Sequence, residues 1–317
     1  MDVTEIKEQE SSLPTSRVNR LFQNNSNEIR LIWIFVIIPI YLASAIVLNR
    51  LIFVLVRASF YIAEGYSQTL AFEQAQTQIM TLGVQVVLCA FDSFLMFLLV
   101  FLLITKVEKR KFQWSTLGLT LNSKNLCYFV LGLFFGFIFT YITIAVGVIL
   151  GLIQFKPLKP DFFIPANVEF LILFFIWAML NGFWQELVFR GYLQTRVIDR
   201  INATVGILTV TIYFVLIHFI DRQLTLPWIL TGTLLFILIS LMFYQTKSLY
   251  LVGAMHGMIN YLDQVIELIG LEWISPVSVY RMKDIVILGV ILGFYILISF
   301  LITKIRTKDQ VNLVIEF

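Results

Sequence analysis

The chain has 317 residues, 59% hydrophobic and 14% charged, with a net charge of +3 and a mean hydropathy of +0.88. A soluble domain carries about 25% charged residues, so lipid rather than water must solvate much of this surface. The small charge, without a basic run interleaved with aromatics, excludes nucleic acid as a partner class. Two isolated cysteines, Cys89 and Cys127, exclude a disulfide framework.

Residues 1–30 are polar and mixed in charge, too long and polar for a cleavable signal, and read as a cytoplasmic tail. A spanning helix needs about 20 mostly apolar residues. The segments 31–56, 79–105, 126–154, 168–190, 203–220, 228–244, 249–269 and 285–303 qualify or nearly so, the fifth and sixth being short. The expectation is an all-α polytopic membrane bundle of about eight transmembrane helices. Lys and Arg concentrate in the tail, in the loop around Lys106–Lys111 and at the C-terminus, which predicts both termini in the cytoplasm. Such a compact multi-pass chain fits a bacterial plasma membrane. Residues 31–111 then form N-terminal helices, 112–269 a core, and 270–317 a last helix with its tail.

Within the first two spans, Asn49 and Arg50 can pair with Asp92 and stitch helices together. The loop from Lys106 to Leu119 places Trp114 behind a basic run, which suits the headgroup level. Gly132 with Gly136, and Gly147 with Gly151, are spaced for close helix approach.

Ionisable residues inside spans are expensive and point to function. The first cluster is Asn181-Gly-Phe-Trp-Gln185-Glu186-Leu-Val-Phe-Arg190-Gly191, in which Glu186 and Arg190 share a helix face. Gln185 points about 100° away from Glu186. Phe214 and His218 form the second cluster. His256 and Asn260 form the third, with Asp263 and Glu267 continuing that face. His218 and His256 are the only histidines in the chain. Each feature alone also fits a helix–helix hydrogen bond or a structural ion pair.

Together these clusters resemble the CPBP family, the CAAX-protease and bacteriocin-processing intramembrane endopeptidases also called Abi. Its pattern is Glu-Glu-x-x-x-Arg, Phe-x-x-x-His and His-x-x-x-Asn on successive helices. Glu186, Arg190, Phe214, His218, His256 and Asn260 match it, over roughly residues 112–265. The resemblance implies peptide-bond hydrolysis by activated water. A carboxylate at position 185 and His218 would deprotonate the water, His256 and Asn260 would bind the oxyanion, and Glu186 with Arg190 would fix the helix. It implies a peptide or protein substrate, such as a prenylated tail or a leader peptide, reached from membrane lipid.

One departure matters: the family's first Glu, its general base, is Gln185 here. An amide cannot accept the proton, and losing a positioned base costs about 10²–10⁴-fold in rate. Three readings stay open: a natural pseudo-protease acting as a membrane scaffold, a deliberate Glu→Gln inactivation, or a base role taken over by Glu186. The family's metalloprotease label suggests zinc. With Gln185 the donors shrink to two histidines and Glu186, a poor set for Zn²⁺, so no cofactor is expected. A transporter would show a discontinuous helix and an internal repeat. The sequence has no such repeat, and Pro39 is its only candidate break. Finally, for the clusters to meet in depth, the fourth helix must run through Gly191 to about Arg200.

Overall fold

The computed structural model describes residues 30–155, 165–220, 226–268, 271–273, 286–287 and 289–296. Both termini, and with them the expected cytoplasmic tails, lie outside the described residues. So does part of the eighth expected span, of which residues 286–287 and 289–296 are helical. Helix α1 spans Leu31–Ala63, α2 Gln68–Ile79, α3 Leu82–Leu102, α4 Ser123–Ile149 and α5 Pro165–Glu186. Then come α6 Thr195–Arg200, α7 Ala203–Ile217, α8 Leu226–Thr246 and α9 Leu249–Leu268.

Among the described residues, five helical stretches are long and apolar enough to cross a membrane: Leu31–Ala63, Leu82–Val107, Ser123–Ile149, Val168–Arg200 and Trp228–Thr246. Their outward faces expose Ile40, Leu48, Phe94, Phe134, Ile172 and Leu230, a surface that only acyl chains solvate well. The chain is an all-α, multi-pass integral membrane protein. In α1 the inward stripe Ile34, Ile38, Leu42, Ala45 and Asn49 follows the helical period, and the helix continues through Pro39.

Three local features depart from the expected elements. Helix α2 occupies a stretch expected to be a connection. Ser67 caps it, and it folds back on α1 through Ala58, Ala71 and Ala75, with Arg57 Nε donating to Gln78 Oε1 at 2.7 Å. The third span ends at Ile149 rather than 154. Gly151, with φ of +67° and open space at its Cβ position, turns the chain rather than packing helices. Beyond it, β1 (Ile153–Phe155) pairs antiparallel with β2 (Leu271–Trp273), so a short ribbon ties the end of α4 to the end of α9.

Helix α9 is the centre of the bundle, packed between α4 and α5. Small residues allow the approach. A Cβ on Gly132 or Gly136 would strike α9 at Leu251 and Met258. One on Gly182 of α5 would sit 2.6 Å from the backbone nitrogen of Gly257, and one on Gly257 would meet Met179 and the Ala178 carbonyl. Gly182 lies one turn before Glu186, and Gly253 and Gly257 bracket His256. Close backbone contact at these glycines therefore sets the Glu186 and His256 side chains against each other.

The helical backbone continues past Glu186, as the depth argument requires. Residues Leu187–Gln194 are π-helical and lead directly into α6. Such wide turns recur at functional sites because they re-aim side chains. All eight residues are buried. Thr195 Oγ1 donates to the carbonyls of Gly191 and Arg190 at 2.9 and 3.2 Å, which satisfies acceptors loosened by the change of winding.

Candidate active site

Arg190 and Glu186 are both fully buried, and their pair closes at 3.2 Å within one turn. The guanidinium also donates from Nε to Ser240 Oγ at 3.3 Å and from Nη2 to the Phe236 carbonyl at 3.4 Å. It lies 4.5 Å from the Phe214 ring centroid and 5.3 Å from that of Phe236. Aromatic faces and an α8 carbonyl thus receive a charge that would otherwise face hydrocarbon. Phe214, matched only as a motif residue in the sequence, is here the plate between Arg190 and His218, whose ring centroid is 4.8 Å away.

Glu186 Oε1 also accepts from His256 Nδ1 at 2.8 Å. One carboxylate oxygen therefore holds an arginine from its own helix and a histidine from α9. The other, Oε2, is buried without a hydrogen-bond partner among the described residues. Because a carboxylate only accepts, Nδ1 must carry the proton, and in the neutral ring Nε2 then carries the lone pair. His218 follows the same rule through another acceptor: its Nδ1 lies 2.8 Å from the Phe214 carbonyl. A neutral His256 held this way is a proton acceptor at Nε2, which conflicts with the oxyanion-donor role the family resemblance implies.

Gln185, one residue before Glu186, points elsewhere. Its Nε2 donates to Asn181 Oδ1 at 3.1 Å, and the same oxygen accepts from Trp184 Nε1 at 3.1 Å. Indole nitrogen only donates, so the Asn181 atom facing it is oxygen, and the Gln185 atom facing that oxygen must be the amide nitrogen. The amide nitrogen of Gln185 is thus partnered, while its Oε1 is buried without a hydrogen-bond partner among the described residues. A carboxylate there would set oxygen against oxygen.

Gln185, His218, His256 and Asn260 line one cavity of about 280 Å³, with Asn181, Trp228, Phe236 and Asp263 also in its wall. Glu186 and Arg190 line neither this cavity nor the next one, and act from behind the wall. A second cavity of about 390 Å³ lies on the other side of Asn181, Gln185 and His218. It is larger but reaches neither His256 nor Asn260. Its far wall carries Arg50 and Asp92, whose pair spans 3.5 Å, while Asn49 Nδ2 donates to Asp92 Oδ1 at 2.9 Å. The expected stitching of α1 to α3 is present, and it also gives this chamber a charged end. Sequence reasoning placed Asn181 and Gly182 in the first cluster without giving either a role, and passed over Gly253 and Gly257. The spacing Gly253-x-x-x-Gly257 around a histidine was the available signal.

Among the described residues, no group of three or more His, Cys, Asp and Glu is placed to hold a metal ion. His256 gives Nδ1 to Glu186 and position 185 offers no carboxylate, so these donors do not suit zinc.

The family model described as Type II CAAX prenyl endopeptidase Rce1-like matches residues 167–262. Comparison with curated proteins and with solved structures gives no match. The matched segment runs from α5 to α9 and holds Gln185, Glu186, Arg190, His218, His256 and Asn260; over that segment the chain is similar to the Rce1-like family, consistent with its resemblance to the CPBP family.

Proposed function

We propose that this chain is an intramembrane endopeptidase of the CAAX-protease type, hydrolysing a peptide bond in the cavity between α5, α7 and α9. The observation that carries this reading is the approach of Gln185, His218, His256 and Asn260, from three helices, to one space of about 280 Å³. That volume admits water and a short stretch of extended peptide, and polar groups converge in an otherwise apolar wall. The family segment supports a protein or peptide substrate. We assign it a prenylated C-terminal tail, whose lipid would lie along the apolar outer helices, in a plasma membrane of bacterial type. The core of the enzyme is taken as residues 112–269, with 31–111 as an N-terminal helical unit.

Purified protein in liposomes, given a farnesylated peptide with a C-terminal Cys-aliphatic-aliphatic-X sequence, is expected to release the terminal tripeptide. A peptide-pheromone leader serves as the second probe. Binding of either peptide without release of product would favour the scaffold reading, for which the amide at Gln185 is the motivating observation.

A further inference from the structure

Resting on the peptidase reading, we infer that the general base of this site is His256, held by Glu186, and that Gln185 is a hydrogen-bond donor to the oxyanion. Three observations carry it. The first is the 2.8 Å contact from His256 Nδ1 to Glu186 Oε1, made to a carboxylate with no exposure and anchored at the same oxygen by Arg190. A buried acid that fixes an imidazole through Nδ1 holds the ring in one tautomer and stabilises the positive charge it gains on taking a proton. The second is that the ring edges the cavity shared with Gln185, His218 and Asn260, whereas Glu186 does not reach that space. Glu186 is thus a positioning residue and not itself the base. The third is the polarity around position 185. Trp184 and Asn181 orient the Gln185 amide, and one N–H of its Nε2 is engaged by Asn181. The second N–H remains to serve a developing negative charge, beside the amide of Asn260.

The reaction then balances as an ordinary hydrolysis. His256 Nε2 removes a proton from water, and the hydroxide oxygen bonds to the peptide carbonyl carbon. The carbonyl π pair moves to oxygen, where the Gln185 and Asn260 amides donate to it. Collapse of that oxyanion breaks the C–N bond, and the proton on His256 passes to the departing nitrogen. One water is consumed, and an acid and an amine leave. His218, tethered by Nδ1 to the Phe214 carbonyl, holds the water or the amide from the far wall.

The deciding variant is Gln185→Glu, nearly isosteric and therefore mild in its effect on folding, assayed in liposomes on the farnesylated Cys-aliphatic-aliphatic-X peptide. If His256 is the base, the wild type cleaves, and the new carboxylate faces both Asn181 Oδ1 and the oxyanion. Turnover should then fall by roughly 10-fold or more. His256→Ala should lose about 10²–10⁴-fold in kcat with KM little changed, and added imidazole should restore part of it. A silent wild type beside an active Gln185→Glu variant overturns the base assignment while leaving the peptidase reading intact. So does a cooperatively unfolding His256→Ala protein that imidazole does not rescue at all. If wild type and Gln185→Glu are both silent on prenylated and leader peptides, the peptidase reading falls and takes this inference with it.

Discussion

Two buried ionic clusters in this protein use the same residue types to different ends. Where the Lys106–Lys111 loop meets the end of the fourth span, Glu108 accepts three hydrogen bonds from Arg196 at 2.8–3.1 Å and one from Tyr192 Oη at 3.0 Å. Both carboxylate oxygens are used, and the guanidinium presents its fork to them. One and a half turns earlier in the helix, Glu186 concentrates Arg190 and His256 on one oxygen and leaves the other without a partner among the described residues. A closed network of the first kind fixes a fold. The second sets an imidazole on a cavity wall against a buried carboxylate, and it is the one that the proposed hydrolysis would use.

The contrast can be broken by substitution. Glu186→Gln keeps an acceptor for His256 Nδ1 but removes the charge. It should lower kcat by about 10²–10⁴-fold with KM nearly unchanged, and, because it takes the counter-charge from the fully buried Arg190, it should lower the thermal midpoint as well, as read from initial rates and unfolding in detergent. Glu108→Ala should cost stability without costing turnover. Stranding Arg196 in a buried site costs about 3–5 kcal/mol of stability, and the molecules that remain folded should turn over at the wild-type rate. Gly257→Ala comes next. Its Cβ would lie 2.6 Å from Met179 Cε and 3.0 Å from the Ala178 carbonyl, forcing α5 and α9 apart at a cost of about 1–3 kcal/mol. Turnover should fall with it, because the same approach sets His256 against Glu186. Asp92→Asn is the mildest. Arg50 is partly exposed and Asn49 keeps an oxygen acceptor, so the loss should be below about 1 kcal/mol in the same unfolding assay.

Much of this arrangement was legible in the sequence because membranes make polar residues conspicuous. Glu186, Arg190, His218, His256 and Asn260 stood out against apolar spans, and the need for the clusters to meet in depth required a helix through Gly191. What escaped the sequence was the winding. The π-helical turns of 187–194 leave no signature at the level of hydropathy, since every residue there is buried whatever its register. Helix α2 is short and polar, so a search for 20-residue apolar runs reads it as a loop. Asn181 was visible as a polar residue, but its role depends on which way Trp184 and Gln185 turn. That is a matter of side-chain geometry, not composition. The charged end of the larger cavity was half legible. Arg50 and Asp92 could be paired on paper, yet no pattern could place them across a chamber from Gln185.

The account depends above all on His256 acting through its contact with Glu186, and a double-variant cycle on kcat tests this most directly. With Glu186→Gln, His256→Asn and the combined variant assayed in liposomes, the account predicts strong non-additivity. The double variant should be about as slow as His256→Asn alone, because Glu186 has no imidazole left to hold. Losses that multiply independently would contradict it, and would mean that the acid and the histidine serve the reaction, or the fold, separately.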